Sequence, residues 1–261
     1  MTKIYCDIAQ KREIKKFVKS SLVSGFTTNP TLMRQAGAKN YEVYCKDLLK
    51  VIRNTNKSIS FEILADDFEN MKRQALKINS WGKNIYVKIP VVNSKGEFQG
   101  KLIRELIKKK IKLNITAVFS ESQTKKILNK IEKNSDGIIS IFAGRLRDSG
   151  KDPINVFKKC SNLKKKFNKV KILWASTREL LHFVKAKEIG CEIITMPPQM
   201  INKIKDFGAS SNKLSIKTVS YNTYIHNYVS SKNTVKNNYV LFHAIADPST
   251  QSRRGTARGP C

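Results

Sequence analysis

Short apolar runs that alternate with polar residues at period two recur along the chain, each followed by a stretch whose apolar residues stand three and four apart. Those two periods mark strands and helices. Strands are expected at Ile4 to Ala9, Gly25 to Asn29, Ser58 to Leu64, Asn84 to Val91, Leu113 to Phe119, Gly137 to Gly144, Lys171 to Ser176 and Glu192 to Met196. Helices are expected at Lys11 to Lys19, Tyr41 to Arg53, from Asp66 through Leu76, around Ile103 to Ile107, from Ser120, from Asp152-Pro153, at Arg178 to Ile189, and briefly after Pro197-Pro198 to Phe207. Asp66 with Glu69, Ser120 with Gln123 and Ser176 with Glu179 have capping-box spacing, and Asp152-Pro153 reads as an N-cap followed by proline at the first helical position. Eight alternating units ending near Phe207 predict α/β class and a (β/α)8 TIM barrel. The doubly wound open sheet is the competing architecture, but no GxGxxG follows the first strand.

The strand faces carry the chemistry. In a parallel barrel the outward face packs on helices and is apolar, while the inward face holds reactive groups at the C-terminal strand ends. Strand four, Asn84-Ile85-Tyr86-Val87-Lys88-Ile89-Pro90-Val91, places Lys88 on the face opposite Ile85, Val87 and Ile89. By the same parity Ile4, Cys6 and Ile8 point out and Tyr5 and Asp7 in. Ser60 and Glu62 point in, opposite Ile59, Phe61 and Ile63; Asn114 and Thr116 point in, opposite Leu113, Ile115 and Ala117. Thr27 and Asn29, Ser140 and Phe142, and Trp174 and Ser176 complete the inward set. So many polar groups at buried positions cost free energy unless a site uses them. Burial drives an amine toward its neutral, nucleophilic form, neighbouring carboxylates drive it back, and together they suit Schiff-base chemistry on a carbonyl. Arg145, Arg147 and Arg178 follow strands six and seven, where arginine forks and helix starts bind phosphate in this architecture.

Composition changes little of this. The 261 residues are 40% hydrophobic, enough for a full core. The net charge of +30 invites a nucleic-acid reading, but the lysines are spread through the helical stretches without aromatic interleaving or an RNA-binding motif, so a lysine-rich solvated surface is expected and nucleic acid is not. No run approaches the ~18 apolar residues of a membrane span and no signal peptide is visible, so no membrane and a cytoplasmic location are expected. Cys6, Cys45, Cys160, Cys191 and Cys261 lie far apart with no CxxC; they read as small apolar residues, with Cys261 an exposed thiol. The histidines His182, His226 and His243 form no metal pattern, so neither metal nor cofactor is expected. No lysine follows Lys236, whereas Arg253, Arg254 and Arg258 cluster near the end. We divide the chain at this level into a barrel, residues 1–219, and an atypical, partly disordered C-terminal segment, residues 220–261, which reads as a cloning scar, a frameshifted end or a natural extension.

Six segments in order resemble the transaldolase family: Ile4-Tyr5-Cys6-Asp7, Gly25-Phe26-Thr27-Thr28-Asn29-Pro30, Val87-Lys88-Ile89-Pro90, Leu113-Asn114-Ile115-Thr116, Phe142-Ala143-Gly144-Arg145 and Ala175-Ser176-Thr177-Arg178. The resemblance implies a metal-free class I aldolase barrel that acts on sugar phosphates in carbohydrate metabolism, at the pentose phosphate pathway. It implies that Lys88 forms the Schiff base, that Glu62 and Thr116 position a catalytic water, and that Asp7 assists carbon–carbon cleavage. Thr27, Asn29, Asn114 and Ser176 match positions that hold the dihydroxyacetone unit or the lysine, Arg145 and Arg178 match the phosphate clamp, and Phe142 is expected to bind substrate with them. The related fructose 6-phosphate aldolase branch typically carries glutamine where Glu62 stands and tyrosine where Phe142 stands, so the resemblance favours transfer of the three-carbon unit over its release. A non-catalytic basic barrel is the remaining alternative. Leu214 to Val219 resembles the start of the family's final helix, which in the family packs over the barrel and helps assemble a homo-oligomer; beyond Val219 the likeness is expected to stop.

Overall fold

The structure, a computed structural model, describes residues 1–232, with side chains through Ile225. Eight parallel strands close into a barrel in sequence order: β1 Lys3–Asp7, β2 Val23–Thr27, β3 Ser58–Glu62, β4 Ile85–Pro90, β5 Leu113–Val118, β6 Gly137–Phe142, β7 Val170–Ala175 and β8 Ile193–Met196. Helices alternate with them: α1 Lys11–Phe17, α2 Pro30–Gln35, α3 Tyr41–Ile52, α4 Phe68–Asn79, α5 Gly100–Lys108, α6 Glu121–Leu128, α7 Ala143–Asp148, α8 Pro153–Leu163, α9 Leu181–Glu188 and α10 Pro198–Lys203. This is the expected TIM barrel, and its compact unit spans Met1–Lys205.

The main core lies between strands and helices, where the outward residues Ile59, Phe61, Val87 and Ile89 meet apolar helix stripes such as Leu102, Ile103, Leu106 and Ile107 of α5. A second cluster fills the barrel interior: Tyr5, Tyr86, Ile138, Leu173, Ala175 and Ile193. These side chains plug the lower barrel and leave the polar inward residues at the C-terminal strand ends. Gly25, paired with Tyr5 across β1 and β2, makes room for the plug, because a Cβ there would stand 2.7 Å from the Tyr5 ring. Tyr5 is itself held by a 3.0 Å hydrogen bond with Ser58. Gly25→Ala is therefore expected to cost about 1–3 kcal/mol through overpacking, read as a lower denaturation midpoint with an unchanged slope.

Several local expectations need correction. Asp67, not Asp66, caps α4 by accepting from the Asn70 amide at 3.0 Å; Asp66 instead accepts from Ser94 on the neighbouring loop. Ser176 does not cap the helix after β7, which begins only at Leu181 and has no side-chain cap. Two short helices, α2 and α7, occupy stretches read as loop or strand end; Asn29 caps α2 by accepting from the Leu32 amide at 2.9 Å. Trp174 faces outward, stacked on Phe157 with ring centroids 4.4 Å apart, while Leu173 and Ala175 face inward. Ala117 does not point out either. A bulge in β5 puts it in the left-handed region at φ 58°, where it joins the cavity wall and Val118 takes the buried outer position.

The second unit begins at Asp206, and within it α11 runs Ser211–Lys232, across the sequence boundary at residue 219. The helix thus continues past Val219, where the likeness to the family's final helix was expected to end. Its weak periodicity is matched by exposure of Leu214, Ile216, Val219, Tyr221 and Tyr224. Residues 233–261, with Cys261 and His243, lie outside the described residues, as does the side chain of His226. Cys6, Cys45, Cys160 and Cys191 are buried free thiols; burial pushes Cys45 and Cys191 up to about 12, which keeps both protonated and unreactive. Among the described residues no helix is long and apolar enough to cross a membrane, and no group of three or more His, Cys, Asp or Glu is placed to hold a metal ion.

Candidate active site

Strand register sets the floor of a cavity of about 550 Å³ at the C-terminal end of the barrel. Asp7 pairs with Thr27 across β1 and β2, and Glu62, Lys88 and Asn114 pair in turn across β3, β4 and β5, so five adjacent strands turn these side chains to the same end of the barrel, with Thr27 level with Ser60, two residues before Glu62. All of the sequence-derived site residues, Asp7, Thr27, Asn29, Glu62, Lys88, Asn114, Thr116, Phe142, Arg145, Ser176 and Arg178, line this one cavity.

Lys88 is 7% exposed, with its Nζ 3.0 Å from Glu62 Oε2 and donating to the Thr28 carbonyl at 3.0 Å. Glu62 faces the cavity with its side chain 18% exposed, so the pair is neither sealed nor freely solvated. Asp7 accepts from Thr27 Oγ1 at 2.7 Å, and that hydroxyl also meets Thr195 Oγ1 at 2.6 Å. Desolvation at the cavity wall pushes the Asp7 carboxyl above the usual carboxylate range; Lys88 and the Thr27 hydroxyl pull it back, and Glu62 adds to the rise. Beneath the lysine, Asn114 Nδ2 donates to Ser60 Oγ at 3.0 Å and Asn114 Oδ1 accepts from Ser140 Oγ at 2.6 Å, which locks the amide in one orientation. The buried Thr116 hydroxyl has no protein partner.

The opposite rim is cationic. Arg145 stands over the Phe142 ring with its guanidinium carbon 5.4 Å from the centroid, and Phe142 packs edge-on against Phe119. Arg178 donates to Asp148 at 2.7 Å. Ser176 turns through the left-handed region at φ 59°, which swings its side chain to the cavity although Trp174, two residues earlier, points out. Arg147, considered with the other arginines from sequence, instead pairs with Glu179 on the outer flank. A larger hollow of about 740 Å³ opens on that flank, but its Arg147 is paired with Glu179 and its Lys185 with Glu188. The strand-end cavity is where a buried lysine, two carboxylates and the unpartnered Thr116 hydroxyl converge.

Sequence reasoning missed Thr195 and the Thr28 carbonyl, and did not nominate Ser140 although its parity was read. Thr195 had a visible signal, the single polar residue of Ile193-Ile194-Thr195-Met196. The Thr28 contact is made by backbone and has no side-chain signal.

The chain is similar to known proteins over most of its length. The family model described as transaldolase/fructose-6-phosphate aldolase matches residues 4–241, well beyond Val219. A protein of Nitrosopumilus maritimus named "Probable transaldolase" is 32% identical over 204 residues, covering 77% of this chain and 86% of that protein. One of the same name from Thermoplasma volcanium is 35% identical over 202 residues, covering 75% and 84%. Among solved structures, a dihydrodipicolinate synthase family protein from Coccidioides immitis superposes with a TM-score of 0.53 at 9% identity, over 83% of this chain and 75% of that one, a likeness of fold alone. With the barrel, the ordered site segments and a family match over most of its length, the chain belongs to the transaldolase/fructose-6-phosphate aldolase family and is an aldolase- or transaldolase-type enzyme.

Proposed function

We propose that the protein transfers a dihydroxyacetone unit from a ketose phosphate to an aldose phosphate through a Schiff base on Lys88. The observation that carries this reading is the buried Lys88 amine in contact with the Glu62 carboxylate, at the end of a barrel strand, open to a cavity with a second carboxylate and an unpartnered hydroxyl. Glu62 is placed to take a proton from the ammonium, leaving the amine free to add to the ketose C2 carbonyl. Loss of the C2 oxygen as water gives the iminium. The free Thr116 hydroxyl and Glu62 supply a donor and an acceptor for that water. The C3–C4 bond then breaks as Asp7 takes the C4 hydroxyl proton; an aldose phosphate leaves and an enamine remains on Lys88. Addition of the enamine to a second aldehyde forms the new bond, Asp7 returns its proton, and water releases the product.

The remaining residues support binding. Asn29 spends its Oδ1 on capping α2, which leaves its amide N–H groups for substrate hydroxyls. Thr27, Asn114 and Ser176 border the same space, and Arg145 and Arg178 give the rim the charge a phosphate requires. The +30 charge favours anionic substrates in general. Glu62 and Phe142 favour transfer over release, since the aldolase branch resembles neither position.

Turnover with and without an acceptor tests this. Consumption of fructose 6-phosphate is expected to require an added aldose phosphate; equally fast consumption without it, with free dihydroxyacetone accumulating, would show an aldolase. Asp7→Asn is expected to lower turnover by about 10²–10⁴-fold, the usual loss of a general acid–base group. Its effect on stability has the opposite sign. Because the folded state raises the Asp7 pKa, it binds more protons than the unfolded chain above the unfolded value of ~3.9, so this group lowers stability as pH rises through that window. The variant should melt above the parent at pH 8, with the difference shrinking toward pH 4; a lower melting temperature at pH 8 would contradict the desolvated carboxylate.

A further inference from the structure

A chain of three polar groups runs from β8 through the barrel interior to the Asp7 carboxylate. Thr195 Oγ1 stands 2.6 Å from Thr27 Oγ1, and Thr27 Oγ1 donates to Asp7 Oδ1 at 2.7 Å. Both threonines are buried. The three residues come from neighbouring strands, since β1 lies between β2 and β8 in the closed barrel. Register places Thr195 opposite Tyr5 of β1, and its carbonyl accepts from Thr177 Oγ1 at 2.7 Å, so its backbone is held from both sides.

The order of donation follows from the proton count. A hydroxyl has one proton and two lone pairs. Thr27 spends its proton on the ionised Asp7, the form that takes the C4 hydroxyl proton in the proposed reaction. The 2.6 Å contact is then bridged by the Thr195 proton, and Thr195 donates to Thr27. This fixes the Thr27 rotor, because turned the other way its own proton would meet that of Thr195. Donation into Thr27 also polarises its O–H, which strengthens the bond onto the carboxylate. Packing alone asks for no hydroxyl at this position. Valine has the shape of threonine, and Ile193, two residues earlier on the same strand, belongs to the apolar plug.

We infer that Thr195 is a positioning residue for carbon–carbon cleavage: its hydroxyl fixes the Thr27 proton on Asp7 and so holds the carboxylate in the orientation that takes the C4 hydroxyl proton. The inference rests on the Schiff-base reading, which gives Asp7 that task. The consequence is confined to one step. Addition of Lys88 to the ketose and loss of the C2 oxygen come before cleavage, and neither uses Asp7.

Borohydride trapping on the full chain separates these steps. Reduction of the fructose 6-phosphate iminium before cleavage leaves a six-carbon phosphorylated adduct on Lys88. Once the C3–C4 bond has broken, the aldose phosphate has left and C3 of the enamine has taken a proton, reduction leaves a three-carbon adduct. Intact mass distinguishes the two. With borohydride added at one fixed short time, Thr195→Val is expected to raise the ratio of six-carbon to three-carbon adduct about tenfold, the scale of one lost hydrogen bond. Thr195→Ser restores the hydroxyl and should return most of the ratio. Trapping of dihydroxyacetone, which has no C3–C4 bond to break, should match the parent in both variants. First-turnover release of the aldose phosphate should fall by the same factor in Thr195→Val, but little further when the change is made on top of Thr27→Val, where the Thr195 hydroxyl has nothing to hold. An unchanged ratio, a Ser variant no better than Val, an equal loss of dihydroxyacetone trapping, or a full additional loss in the Thr27→Val background would overturn the inference. If Thr195→Val does not fold, Thr195→Ala is compared with Thr195→Ser by the same ratio. A parent chain that traps neither donor defeats the Schiff-base reading itself, whereas a parent that traps both, with a ratio indifferent to the Thr195 substitutions, defeats only the role of Thr195.

Discussion

Lys88→Met is expected to lose transfer activity by at least about 10⁴-fold, because it removes the group proposed to form the covalent intermediate and no other lysine among the described residues lines the cavity. The other cationic side chains of the cavity are the Arg145 and Arg178 guanidinium groups at the rim, which donate hydrogen bonds and do not add to carbonyls. Methionine matches the lysine stem in length and fits the packing around β4, so the barrel should persist and melt cooperatively. The change does leave Glu62 without its cation, 3.0 Å from where Nζ stood. Removing one partner of a buried pair strands the other charge, so the double variant Lys88→Met/Glu62→Gln should melt above Lys88→Met alone. Turnover comparable to the parent in a folded Lys88→Met protein would contradict the role proposed for Lys88.

Gly144→Ala should be the most damaging small substitution at the rim. A Cβ at this position would lie 1.8 Å from the backbone oxygen of Ser176, 2.8 Å from Arg178 Cγ and 2.9 Å from Ser176 Oγ. Backbone cannot rotate aside as a side-chain tip does, so the start of α7 and the segment after β7 must separate by more than an ångström to reach ordinary contact. That movement carries Arg145 away from Ser176 and Arg178, which breaks up the cationic rim. Overpacking of this kind costs about 1–3 kcal/mol. Misplacing a binding group by an ångström costs about 10²-fold in catalytic efficiency. Denaturation midpoints and fructose 6-phosphate saturation curves measure both; parent-like values for both would contradict the close approach.

The legible part of the site is where polar residues mark strand parity. Asp7, Glu62, Lys88 and Asn114 each interrupt an apolar run at the inward phase, and their strands keep that phase, so the sequence reading and the structure bring them to one cavity. β7 shows the limit. Ile172-Leu173-Trp174-Ala175 is apolar throughout, so parity has no marker, and the left-handed turn at Ser176 breaks the alternation that would have linked it to Trp174. Ala117 repeats the lesson in β5, where a bulge reverses the phase inside a run that reads as regular. α7 was hidden for another reason: Ala143 and Gly144 continue an apolar pattern as a strand would, and the helix begins there because Gly144 lets it approach Ser176. Contacts from long sequence separation, such as Arg178 to Asp148 or Lys88 to the Thr28 carbonyl, depend on closure of the barrel and leave no local pattern.

The proposed reaction runs through a covalent bond between Lys88 and a three-carbon unit. Intact-mass analysis after incubation with fructose 6-phosphate and borohydride, beside Lys88→Met, tests it most directly. The expected result is one reduced dihydroxyacetone adduct on the parent, located by peptide mapping to Lys88 and absent from the variant. A folded parent without the adduct, or an adduct of the same size on the Lys88→Met protein, would contradict it.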